Sequence, residues 1–129
     1  MSLTTLELWE ERLSRVLSQV DTALEERFGG KYPLRRNRPL HGSTANSKYS
    51  GLFSMEAKFS LGYASGSGPG YIIEMRTLSA VPVSEEDRLL MLEAAEDLLK
   101  EALKEEFPEK ALYLDRQEDV FLLSGDLSL

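Results

Sequence analysis

The hydrophobic periods along this chain predict an α+β fold. The expected architecture is a mostly antiparallel four-stranded sheet with two helices packed on one face, in the order α-β-β-α-β-β. Three observations carry this. Residues 4–28 and 84–107 repeat apolar side chains every three or four positions, a helical period. Residues 51–63 and 70–81, between them, alternate apolar and polar. Two short apolar runs follow Pro108.

In the first helix, Leu6, Trp9, Leu13, Val16, Leu17, Val20, Leu24 and Phe28 form one apolar stripe. Thr4 and Glu7 have the spacing of a capping box, in which the hydroxyl takes an orphan N–H of the first turn. Gly29-Gly30 stops the helix, and Arg27 and Lys31 sit where the helix dipole favours cations.

The stretch "GLFSMEAKFSLGY" puts Phe53, Met55, Ala57, Phe59, Leu61 and Tyr63 on one face and Ser54, Glu56, Lys58 and Ser60 on the other. "ASGSGPG" marks the turn, with the bend at Ala64 to Gly68, and "GYIIEMRTLSAV" returns. Outer-face charge then suggests a register. Pairing Lys58 with Glu74 and Glu56 with Arg76 makes two opposite-charge pairs, each worth roughly 0.2–1 kcal/mol. Phe59 then faces Ile73, and Ala57 faces Met75, on the inside.

Ser84 is the expected N-cap of the second helix, with Glu85, Glu86 and Asp87 at the positive end of its dipole. Leu89, Leu92, Ala95, Leu99, Ala102, Leu103 and Phe107 give its buried stripe, and Pro108 ends it. "ALYLDR" and "DVFLLS" read as two short strands around a turn at Gln117-Glu118. Residues 125–129 read as a loose tail.

The chain has 129 residues, which is enough to bury a core as a single domain spanning 1–129 without staples. It has no cysteine, which removes thiol chemistry and disulfides. No apolar run approaches the roughly 20 residues of a membrane span. The N-terminal stretch is amphipathic and acid-bearing, unlike a signal peptide. A soluble, cytoplasmic protein with no membrane association is expected.

Charge is unevenly spread. The formal net charge is −7, yet residues 27–55 hold six cations and no acid, while residues 81–129 hold five cations and fourteen acids. The connection 30–48 is long, basic and punctuated by Pro33 and Pro39, and connections of that length are often functional. Arg35, Arg36, Arg38, His41 and Lys48 are its candidate ligand-binding residues. Two readings compete ahead of a third, a plain disordered basic loop. Arginines can fork onto a phosphate or carboxylate, giving a small-anion site. Alternatively, these cations match the protein's own acids. The antiparallel return of the second strand brings the start of the second helix, with its three acids, near Lys48 and the residues before it. That proximity ranks charge matching first.

His41 is the only histidine and the one catalytic candidate. Ser43 stands two residues away, but no nucleophile elbow accompanies it. The glycine loop 62–70 joins two strands and lacks the phosphate-loop lysine. The acids of the second helix, Glu93, Glu96, Asp97, Glu101 and Glu105, lie opposite its apolar stripe with no histidine among them, so no metal is expected there. No cofactor is expected. Nucleic acid is disfavoured, because the acidic remainder of the chain repels a polyanion. The leading functional expectation is a non-enzymatic interaction or assembly protein, as a homodimer or with a protein partner. A small anionic-ligand protein or enzyme is the alternative, and nucleic-acid binding comes third. Whether the chain catalyses a reaction is left open by its sequence.

Overall fold

The computed structural model describes residues 4–60 and 69–127. Helix α1 (Thr5–Phe28) is capped by the Thr4 hydroxyl, which accepts the Glu7 N–H. Strands β1 (Phe53–Ser60) and β2 (Gly70–Thr77) follow, then α2 (Glu85–Glu106), β3 (Leu112–Gln117) and β4 (Val120–Gly125). The Ser84 hydroxyl caps α2 by accepting the Asp87 N–H. The sheet is antiparallel throughout, in the order β1-β2-β4-β3. This is the predicted α+β architecture. The turn between β3 and β4 is closed by Glu118, which has a positive φ of 55°.

Both helices cover the face bearing Phe53, Met55, Tyr71, Ile73, Phe121 and Leu123, all buried. Trp9 of α1 stacks on Phe107 just past α2, with ring centroids 4.5 Å apart. The Arg12 guanidinium lies over the same Phe107 ring and pairs with Glu106 and Glu109. The helices are thus joined at one end by an aromatic stack under an ion-pair cluster. Both apolar stripes are shorter than their sequence period suggested. Leu6 and Leu89 are nearly half exposed, while Met91 is fully buried in α2. Each exposed leucine lies in the first turns of its helix, where little packs over it.

The β1–β2 register differs from the one that outer-face charge suggested. Glu56 lies opposite Glu74, Ser54 opposite Arg76 and Lys58 opposite Ile72. Both registers keep the same face buried, so the contest is between inner packing and outer charge. The observed one sets Phe59 against Tyr71, edge to face with centroids 5.6 Å apart, and Met55 against Met75. It also continues as a ladder, since the Leu78 N–H donates to the Leu52 carbonyl and the Arg35 N–H to the Leu78 carbonyl. Exposed charge pairs contribute only about 0–1 kcal/mol and keep much of that as diagonal neighbours, where Lys58–Glu74 and Glu56–Arg76 now stand. An aromatic pair contributes about 0.5–1.5 kcal/mol beyond its burial. Packing wins, and Lys48, with Nζ 3.9 Å from Glu56, eases the like-charge pair. The predicted bend at Ala64–Gly68 lies outside the described residues.

The basic connection is folded onto the body. Leu34 bridges Ser79, and residues 47–49 make one 3-10 turn. At the other end the Asp126 N–H donates to the Ala111 carbonyl and Leu127 packs against the core.

Candidate functional site

The basic segment spreads its cations over several partners. Lys31 pairs with Asp87 at 3.1 Å, and the Tyr32 hydroxyl donates to the same carboxylate. These two bonds hold the Asp87 carboxyl below its usual range. Of the three acids at the start of α2, Asp87 alone is reached from this segment by a described bond. Lys48 goes instead to Glu56 and lies over the Tyr49 ring. Arg35 donates to the Ser79 carbonyl, and Arg36 is exposed beside it along a shallow hollow.

Arg38 points inward. Its guanidinium donates to the carbonyls of Lys48, Ser50, Gly51 and Phe53, at 2.7–3.2 Å. Four carbonyls on one planar fork staple the turn into β1. Burial lowers the Arg38 pKa, opposed by the nearby Asp21 and Glu25 carboxylates.

Those two acids, one helical turn apart on α1, were not among the sequence candidates. The structure brings His41 to them. The donor atoms of Asp21, Glu25 and His41 all lie within 4.8 Å of one another, with His41 Nδ1 3.6 Å from Asp21 Oδ1. The Asp21 side chain is 1% exposed, and neither of its oxygens has a hydrogen-bond partner among the described residues. His41 Nδ1 is likewise buried without a hydrogen bond. Burial, reinforced by Glu25 and partly offset by Arg38, pushes the Asp21 carboxyl up to about 7. Glu25 accepts the Leu52 N–H with both oxygens at 3.1 Å. Gly51, at φ +76°, lets the chain pass, since a Cβ there would meet Glu25 Oε2 at 2.7 Å and His41 Cβ at 2.8 Å.

Asp21 also lines a groove of about 390 Å³ between α1 and β1, with Ser14, Ser18, Asn46, Lys48 and Glu56 on its walls. One signal for this cluster was present in the sequence. Asp21 falls within the apolar stripe, four residues after Leu17 and three before Leu24, where an acid has no ordinary place.

The sheet face away from the helices is the second feature. One row across it reads Lys58, Ile72, Leu122, Asp115, in strand order. The two aliphatics are half-buried and the two charges exposed at the rims. Tyr113, in the adjoining row, is 66% exposed.

A protein-family model described as "Uncharacterised protein" matches residues 4–125, the span from the cap of α1 to the end of β4. The chain belongs to that family. A relative from Borreliella burgdorferi, described in the same words, is 32% identical over 125 residues, covering 97% of this chain and 98% of its own length. No solved structure matches. Among the described residues, no helix is long and apolar enough to cross a membrane.

Proposed function

We propose that this protein is an assembly domain that works as a homodimer, joined through the open face of its sheet. The observation that carries the reading is the row Lys58–Ile72–Leu122–Asp115. A twofold axis parallel to the strands, between β2 and β4, reverses this row onto itself. Lys58 then sits over Asp115 of the partner subunit, and Ile72 over the partner's Leu122. An isologous contact needs this kind of self-complementarity.

Neighbouring rows tolerate the same operation. Glu56 falls opposite Gln117 and Glu74 opposite Val120, with no like charges apposed. Tyr113 falls opposite the small Ser60, beside Gly70. Four strands about 4.8 Å apart and six residues at about 3.3 Å make a face about 19 by 20 Å. That is at the low end for a specific interface, so a weak dimer is expected, with a dissociation constant in the micromolar range.

Sedimentation equilibrium across a concentration series tests this. A monomer–dimer equilibrium is expected, weakened by Lys58→Glu or by Asp115→Lys and restored when both are combined. A monomer at every concentration, or a dimer indifferent to both single changes, overturns the reading.

A further inference from the structure

We propose that Asp21, Glu25 and His41 form a binding site for a divalent transition-metal ion, with zinc as the fitting probe. The inference is independent of the assembly reading. Two carboxylates and an imidazole are a donor set that suits zinc or a neighbouring first-row ion more than magnesium or calcium, which prefer all-oxygen shells.

The geometry is close to what such an ion requires. Bonds of about 2.0–2.2 Å place neighbouring ligand atoms about 3.4 Å apart around a tetrahedral ion. Asp21 Oδ1 and His41 Nδ1 are already 3.6 Å apart, and Glu25 completes a triangle whose donor atoms lie within 4.8 Å. Closing it requires Glu25 to exchange part of its two-oxygen contact with the Leu52 N–H for the ion.

The cluster is more than a pair of acids. Asp21 is buried to 1% exposure with two oxygens that no described donor satisfies, and the buried Nδ1 of His41 faces it in the same condition. Buried polar atoms are almost always partnered, and a bound ion satisfies all three atoms at once. The surroundings keep the site open. Arg38, the nearest opposing charge, has its donors engaged by four carbonyls. The Leu52 N–H orients Glu25 from the side of β1. Asp21 also lines the groove between α1 and β1, which brings open space to one side of the cluster. The expectation of no metal rests on the acids of α2, which have no histidine. The histidine joins the acids of α1 instead.

The experiment is equilibrium dialysis of chelator-treated protein against zinc, with magnesium in parallel and metal counted by mass spectrometry. One zinc per chain is expected, with no magnesium uptake. Affinity should fall about tenfold or more in His41→Ala and in Asp21→Asn. Absence of zinc uptake by the unmodified protein, or equal uptake by His41→Ala, overturns the proposal. Because His41 is the only histidine, its ring nitrogens can be followed by NMR in the unmodified protein even if a variant fails to fold. A change at Nδ1 on adding zinc is expected, and unchanged resonances under saturating zinc overturn the assignment.

Discussion

Asp21 should make the metal-free protein less stable as pH rises. Its carboxyl titrates at about 7 in the folded chain, against 3.8 ordinarily, because burial and Glu25 disfavour the charged form more than Arg38 favours it. The folded state therefore keeps a proton that the unfolded state releases. Between about pH 4 and 7 folding becomes progressively less favourable on this account, and above 7 the penalty is constant. At about 1.4 kcal/mol per pH unit, the gap amounts to about 4 kcal/mol. Asp21→Asn removes the ionisation while keeping the shape. An unpartnered amide at this position costs about 1–3 kcal/mol, but that cost does not vary with pH. The measurement is urea unfolding of both proteins at pH 4.5 and pH 8 with a chelator present. The variant should gain on the parent by about 3–4 kcal/mol between the two pH values. A difference between the proteins that is the same at both pH values would refute the reasoning, because it would mean that Asp21 is ionised throughout.

Other consequences follow from the same geometry. Arg38→Ala leaves four carbonyls at the entry to β1 without their donor, and a loss of about 2–4 kcal/mol is expected in urea unfolding. Gly51→Ala meets both a positive φ and the Glu25 and His41 side chains, so its thermal midpoint should fall by several degrees, whereas Gly30→Ala, with open space around it, should fall far less. Phe107→Ala empties the ring between Trp9 and Arg12 and should destabilise by about 3–5 kcal/mol. Asp87 has its pKa lowered by Tyr32 and Lys31, so it supports folding above its ordinary range and loses that support as pH falls through its folded value. Asp87→Asn should therefore flatten the acid limb of a stability–pH profile, and an unchanged limb would count against the Tyr32–Lys31 clamp.

Element type and face were legible along the chain because their causes are local. Thr4 and Ser84 cap their helices with their own hydroxyls, and the alternation in β1 and β2 separates Met55 and Ile73 from Glu56 and Glu74 without reference to anything distant. The helix stripes were legible except in their first turns, since periodicity marks which side of a helix is apolar but not how far a neighbour covers it. Leu6 and Leu89 fall in that gap.

Register and site were decided by the tertiary structure. Sequence reasoning could weigh the outer charges of β1 and β2, but not the Phe59–Tyr71 ring contact or the ladder running on through Leu52, Leu78 and Arg35, and these contribute more than exposed ion pairs. The basic stretch announced itself by composition, yet composition assigns no targets. Once the connection folds onto α1, Arg38 is taken up by carbonyls and His41, twenty residues from Asp21 in sequence, meets a carboxylate one helical stripe had already buried. The acid in the stripe was visible in the sequence. What it faces depends on burial and chain path together, and only the folded molecule brings those to one place.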